Sequence, residues 1–298
     1  MYNKMQGINS DGDSLIDLHI HSNYSDGDRT PRQILSLSKD IQAKTISITD
    51  HDTIHGIKSL TNKTVDIIDG ITVISGVELS AKVNRGRMHI LGYGIDLNSE
   101  LLINTLDYLH ERSISVVLTI LEQIKKDYGI IFTDSETQEL INTPRNINRV
   151  DVAKKCIEKG YASSVQDAFD KYLVDAFLKT RSKNDKGLPY PECISLIKDA
   201  GGIPVLAHPK TLELKEEEFY QKLEELIDLG LEGIEVYHSS YTREEFQFYK
   251  EVADKYHLLC SGGTDFHGES VKPDIKLATG KNNNVKIKRL SILDRFVA

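Results

Sequence analysis

The stretch Asp17-Leu18-His19-Ile20-His21 decides how this chain is read. In an extended strand successive side chains point to opposite faces, so Asp17, His19 and His21 share one face while Leu18 and Ile20 share the other. Two imidazoles at neighbouring same-face positions form half of a metal site without any loop rearrangement, and imidazole suits zinc, iron and manganese. A His-x-His pair also occurs on ordinary half-exposed strands. The pair gains weight from the further clusters of ligand type downstream, which recur at the ends of apolar runs.

Outward from that strand, residues 1–14 read as a polar leader. Downstream, Thr30 caps a helix with Pro31 at its first position, and Ile34, Leu35 and Leu37 form its buried stripe. A second strand from Thr45 runs into Asp50-His51-Asp52, completing a strand, helix, strand unit. A third strand from Ile71 reaches Glu78 and continues to Val83. There Asn84-Arg85-Gly86-Arg87 reads as a hairpin turn that returns Met88–Tyr93 antiparallel and sets His89 on the same rim as Glu78.

From 100 to 185 the pattern turns helical, with segments over 101–126, 135–142, 148–159 and 164–173, and is read as an inserted subdomain. Strands then resume. One over 203–207 leads to His208-Pro209, one over 233–237 to His238, and one over 258–261 to Gly262-Gly263-Thr264-Asp265-Phe266-His267, with helices over 215–229 and 242–256 between them. The expectation is an α/β fold of seven mostly parallel strands, formed by 15–99 and 186–298, with polar groups at the carboxyl ends, where parallel barrels and sheets place their sites.

At 298 residues the chain can bury a sizeable core, and its 39% hydrophobic content is that of a globular protein. No apolar run approaches a membrane span, and the polar start does not read as a signal peptide, so a cytoplasmic protein without membrane partners is expected. Cys156, Cys193 and Cys260 are odd in number and lack Cys-x-x-Cys spacing, which argues against a disulfide framework or a thiolate zinc site. The net charge of −8 argues against nonspecific binding of duplex nucleic acid, though not against a small anionic substrate.

His19, His21, His51, His208 and His267 fall at strand ends, the hairpin adds His89, and Asp26, Asp50, Glu78 and Asp265 occur in the same places. Mixed imidazole and carboxylate ligands without thiolates suit Zn, Fe or Mn in a reactive site, and the donors are too many for one ion. Two or three ions sharing Glu78 as a bridge is the economical assignment. Clustered divalent ions activate water and clamp phosphoryl oxygens, so the residues alone point to a metal-dependent hydrolase, of phosphate esters first and of amides or amines second.

Together Asp17-Leu18-His19-Ile20-His21-Ser22, Ser25-Asp26-Gly27, Thr49-Asp50-His51-Asp52-Thr53, Gly76-Val77-Glu78, His89-Ile90-Leu91-Gly92, Leu206-Ala207-His208-Pro209 and Gly263-Thr264-Asp265-Phe266-His267 resemble the polymerase and histidinol phosphatase (PHP) family. The branch they resemble includes 3',5'-nucleotide bisphosphate phosphatases and a 5'-to-3' exoribonuclease. The resemblance implies a distorted seven-stranded (β/α) barrel with a trinuclear centre. It assigns His19, His21, Glu78 and Asp265 to one ion, Glu78, His89 and His208 to a second, and Asp26, His51 and His267 to a third. The implied substrate is a small phosphate monoester or a short 5'-phosphorylated nucleotide. Asp50 is expected to orient a ligand, as is common around metal-bound imidazoles, or to be a turn residue at a strand end. Arg145, Arg149, Lys210 and His238 are expected on the substrate side. The chain departs from the family where relatives carry Arg-Pro-His and it has Arg149-Val150-Asp151, which bears on bisphosphate specificity. The competing readings are histidinol phosphatase activity and a noncatalytic metal-binding module.

Overall fold

The computed structural model describes residues 14–143, 145–180 and 187–296; all but the last residue of the expected leader lies outside them. Among the described residues there are eleven strands: β1 (Leu15–Ile20), β2 (Ala43–Ile48), β3 (Val65–Ile68), β4 (Ile71–Lys82), β5 (Met88–Tyr93), β6 (Leu188–Pro189), β7 (Ile203–Leu206), β8 (Gly233–Tyr237), β9 (Leu259–Gly262), β10 (Ile275–Lys276) and β11 (Gly280–Lys281). The main sheet runs β1-β2-β4-β5-β7-β8-β9, with β3 and β6 added beside β4. Those seven path strands are the ones anticipated from the sequence.

The path closes on itself. Beyond β9 the chain returns along β1, where the Asp265 amide donates to the His19 carbonyl (2.9 Å) and the His21 amide to the Phe266 carbonyl (2.8 Å). Closure leaves neither β1 nor β9 as a free edge. Along the seven-strand path β5 alone runs against its neighbours, pairing antiparallel with both β4 and β7; β3, beside β4, is antiparallel to it as well. The expected hairpin is therefore real, with Ser80 opposite His89.

Helices between the parallel strands follow their sequence signals. In the helix Pro31–Asp40, the Thr30 hydroxyl accepts the Gln33 amide while Gln33 reaches back to the Thr30 amide, a complete capping box with Pro at the first turn. The interior is apolar: Ile16, Leu18, Ile74, Leu91, Val205 and Ala207 pack around Tyr93, whose hydroxyl donates to the Leu18 carbonyl at 2.9 Å. Supplying that partner removes the cost of burying a phenol.

The chain divides into two compact units, one of residues Met1–Ile103 and Leu188–Ala298 and one of Asn104–Gly187. The helix Glu100–Tyr128 begins in the first and runs into the second. Inside the second unit Val117, Ile120, Ile124, Val152, Cys156 and Leu173 form a separate core. The helix anticipated over 164–173 continues further: a π-helical turn at Phe169–Leu173 passes directly into the helix Val174–Thr180.

Gly263 lies where the returning chain crosses β1. A Cβ there would sit 2.3 Å from the His19 amide nitrogen and 2.5 Å from the His19 Cβ. The obstacle is backbone and cannot swing aside. Gly263→Ala is expected to lower stability by about 2 kcal/mol or more, measured by thermal or urea unfolding, and to displace β1.

Candidate metal centre

Every cluster residue anticipated from the sequence converges at one end of the barrel. Glu78 is at its middle, fully buried. Its Oε2 lies 3.1 Å from His19 Nε2, 3.0 Å from His21 Nε2 and 3.3 Å from His51 Nδ1. Its Oε1 lies 2.9 Å from His89 Nδ1 and 2.8 Å from His208 Nε2. The β4–β5 pairing delivers His89, because antiparallel neighbours bring the start of one strand beside the end of the other.

Asp265 adds a second carboxylate, with Oδ1 3.2 Å from His21 Nε2 and 3.7 Å from His19 Nε2. Asp26 forms a third corner, its Oδ1 3.3 Å from His267 Nε2 and 3.5 Å from His21 Nδ1, and its Oδ2 3.9 Å from His51 Nε2. Several subsets have ligand atoms close enough to share one ion: His21, Asp26, His51 and His267; His19, His21 and Asp265; His19, Glu78 and His208; His51, Glu78 and His89. The nine expected metal ligands are all among them.

The donors fit divalent cations better than they fit one another. A carboxylate offers about four lone-pair positions, yet five imidazole nitrogens crowd Glu78. His21 Nε2, Asp26 Oδ1 and His238 Nε2 are buried with no hydrogen-bond partner among the described residues. Neutral imidazole nitrogens and carboxylate oxygens of this kind are the ligands zinc, manganese and iron take.

Proton affinities show the same crowding. Burial opposes protonation of His19, but Glu235 and Glu78 outweigh it and raise the group well above the ordinary imidazole range. His21 is raised to about 9: burial opposes the shift, and Asp265, Glu78 and Asp26 overcome it. Burial pushes His51 the other way, to about 3, helped by His21 and His89. Burial likewise lowers His208. Glu78 and Asp265 are held well below the usual carboxylate range, because surrounding histidines outweigh their burial. Protons are thus confined to part of the cluster, on nitrogens a cation must claim.

Proton release on metal binding follows. His21 is largely protonated in the metal-free protein below pH 9, and a ligating nitrogen must be deprotonated. Titration calorimetry of the metal-free protein with Mn²⁺ or Zn²⁺ in buffers of different ionisation enthalpy should show proton release at pH 7 that fades as pH approaches 9. Equal heats in all buffers at pH 7 would contradict this.

Sequence reasoning missed one residue. Glu235, fully buried in the middle of β8, accepts from His19 Nδ1 at 2.8 Å and from the His208 amide at 2.7 Å. In the neutral form that a cation requires, donation of the Nδ1 hydrogen to Glu235 leaves the His19 Nε2 lone pair directed toward Glu78 and Asp265, the arrangement by which outer carboxylates fix the tautomer of metal-bound histidines. A lone acid inside the apolar run Gly233-Ile234-Glu235-Val236-Tyr237 was the available signal, since a buried carboxylate requires a partner.

Asp50 faces away from His51. Its Oδ1 accepts the Ser22 amide (2.7 Å) and the Ser25 hydroxyl (2.6 Å), and its Oδ2 the Ser22 hydroxyl (2.6 Å). It steadies the 22–26 loop that presents Asp26, and the Ser25 hydroxyl links it to His21 Nδ1 at 3.4 Å. Asp17 is built in similarly, accepting from Thr264 Oγ1 (2.5 Å), the Ala278 amide (2.8 Å) and the Thr264 amide (2.9 Å). Two of the expected ligands have positive φ, His208 at 23° and Asp265 at 56°; the His208 value lies outside the usual left-handed region and marks backbone strain at the cluster.

Of the residues expected on the substrate side, His238 is on the rim, its Nε2 3.4 Å from Asp265 Oδ2. Lys210 pairs with Glu245 at 2.7 Å. Arg145, in the helical unit, is engaged by both oxygens of the buried Asp151 (2.6 and 3.0 Å), and Asp151 also closes the capping box of the helix Arg149–Glu158. The residue that departs from the family pattern therefore fixes the local fold of that helix and occupies Arg145. Arg149 lies over the rings of Phe177 and Phe169, 4.1 and 5.4 Å from their centroids, a cation–π arrangement that leaves its fork of donors without a carboxylate in that contact.

A closed α/β barrel with nine imidazole and carboxylate side chains gathered on its carboxyl rim is the build of a metal-dependent phosphoester hydrolase. Residues 17–272 match the PHP domain, and the chain belongs to that family. It is 28% identical over 264 residues to the phosphoribosyl 1,2-cyclic phosphate 1,2-diphosphodiesterase of Eggerthella lenta, covering 86% of this chain and 95% of the relative. It is 26% identical over 252 residues to the 3',5'-nucleoside bisphosphate phosphatase of Chromobacterium violaceum, covering 85% and 87%. A solved structure from Bifidobacterium adolescentis, described as a metal-dependent phosphoesterase, superposes with a TM-score of 0.72 at 25% identity over 95% of each chain. Among the described residues no helix is long and apolar enough to cross a membrane.

Proposed function

We propose that the chain removes phosphate from a small phosphorylated nucleotide, such as a 3',5'-bisphosphonucleoside or a short 5'-phosphorylated oligonucleotide, using two or three Mn, Zn or Fe ions. The observation that carries this reading is the single carboxylate of Glu78 met by five imidazole nitrogens. Such a centre, when loaded, supplies an activated water and neutralises charge on the phosphoryl oxygens. His19, His21, Glu78 and Asp265 hold one position, Glu78, His89 and His208 a second, and Asp26, His51 and His267 a third.

The chain's own groups do the rest. Glu235 keeps His19 in one tautomer, and Asp50 keeps the Asp26 loop closed through Ser22 and Ser25. His238 Nδ1 accepts the Ser240 amide at 3.1 Å, so in the neutral imidazole the proton resides on Nε2. From there it can be donated to a phosphate or leaving-group oxygen. Lys210, whose pair with Glu245 is half exposed, supplies charge for a substrate phosphate.

The test is a turnover screen of the metal-loaded protein against 3',5'-bisphosphonucleosides, 5'-phosphorylated oligoribonucleotides, histidinol phosphate and a ribose 1,2-cyclic phosphate. Preferred release of phosphate from the nucleotides is expected. Absence of hydrolysis with Mn, Zn and Fe alike would overturn the reading.

A further inference from the structure

Beside the metal centre is a cavity of about 700 Å³ that the chemistry above does not use. It lies wholly in the barrel unit. Its volume is within the range of about 300–1,000 Å³ usual for small-molecule sites. Two lysines line it, Lys272 and Lys281, with Tyr241, Pro273 and Ile275 as apolar wall.

Two contacts tie this cavity to the reacting end. Lys272 Nζ lies 2.6 Å from Oδ2 of Asp265, whose other oxygen faces His19 and His21. Ser240, also in the lining, bonds His238 Nδ1 at 2.8 Å. A molecule in the cavity would thus have one end at the metal ligands and the other among exposed lysine and asparagine side chains.

The far wall is shaped by fixed contacts. The hairpin of β10 and β11 continues into Asn282 and Asn283, both left-handed at φ 53° and 59°. Asn284 fastens it, with Oδ1 accepting the Lys281 amide at 2.9 Å and Nδ2 donating to the Ser239 carbonyl at 2.9 Å. Lys281 is directed at Asp274 across 3.4 Å, a long and exposed pair. Such a pair is weak and screened, so a phosphate dianion can displace the aspartate.

The geometry points to a subsite for the leaving group: the nucleoside lies along Tyr241, Pro273 and Ile275, its distal phosphate meets Lys281, and Lys272 stands at the scissile end. This rests on the phosphoesterase reading and adds to it the residues that would select a substrate carrying a second phosphate. Asp274 acts against that anion.

Two exposed substitutions of opposite sign test it. Lys281→Ala should raise KM for a 3',5'-bisphosphonucleoside about tenfold relative to KM for p-nitrophenyl phosphate, the loss of one charge-assisted contact. Asp274→Asn should lower the same ratio. Calorimetry with adenosine 5'-monophosphate on each protein measures the subsite without turnover, and the dissociation constants should move the same way. Unchanged affinity and an unchanged KM ratio in both variants would overturn the subsite. If the wild-type protein hydrolyses neither compound, the phosphoesterase reading fails, and nucleotide affinity alone then decides whether the cavity is a nucleotide site.

Discussion

Glu78→Gln is expected to abolish phosphate release, with kcat lowered about a thousandfold or more. The substitution keeps the shape of the side chain and removes its charge. It also replaces one acceptor oxygen by an amide that only donates, where five imidazole nitrogens converge. Either orientation of the amide turns its NH₂, which cannot bind a cation, toward one of the groups of nitrogens that would share an ion with Glu78. Bound metal, counted by plasma emission spectrometry, should fall with activity, since Glu78 is common to more than one ligand set. Because the surrounding histidines hold Glu78 far below its usual pKa, losing its charge also removes stability; circular dichroism and a melting curve of Glu78→Gln separate that loss from the loss of metal. Retention of both full metal content and turnover in Glu78→Gln would show that the centre is built on other residues. Glu235→Gln gives a graded contrast. It keeps a group that can accept the His19 Nδ1 proton, so the tautomer is held less firmly and metal affinity should weaken by about 10- to 100-fold rather than vanish.

The contrast between Glu78 and Glu235 also shows what the chain order discloses. His21, His208 and Asp265 come within three residues of the ends of β1, β7 and β9, and strand ends are legible because apolar runs stop there; Glu78 lies within β4, at the end of its apolar run. His89 needed one inference, the turn at Asn84–Arg87, and β5 does run back along β4. Glu235 stands mid-strand, where a sequence pattern cannot say which neighbours a side chain meets. Its partners are 216 and 27 residues away. Asp17 and Asp50 were noticed for their positions beside histidines, yet their bonds run to Thr264, Ala278, Ser22 and Ser25. Proximity in sequence was a poor guide to direction. The short strands β3, β6, β10 and β11 lack the length over which alternation becomes visible. Arg145, expected on the substrate side, is paired with Asp151 instead, a contact made within one turn of a helix cap.

Stripping the metal should cost the barrel unit a large part of its stability. Ligands that bind only the folded state stabilise it by RT ln(1 + [L]/Kd), about 4 kcal/mol at a thousandfold excess over Kd, which for a domain of this size is a fall in Tm of about 10 °C. The metal-free protein then depends on its own protons, and the sign of the pH effect follows from the shifts. His19 and His21 have folded values raised above the unfolded imidazole value, so the stability they contribute is fully present below about pH 6.5. For His21 it is lost as pH rises through about 9. Glu78 and Asp265 are depressed, and their contribution is present above the unfolded carboxylate value and lost only in strong acid. Chelator-treated protein should therefore melt at progressively lower temperature from pH 6.5 to pH 9. Protein saturated with Mn²⁺ or Zn²⁺ should hold or gain stability over the same interval, because metal binding strengthens as its competing protons leave. Differential scanning calorimetry at half-unit steps would display two curves that diverge with pH, and parallel curves would mean that the cation does not take the place of those protons.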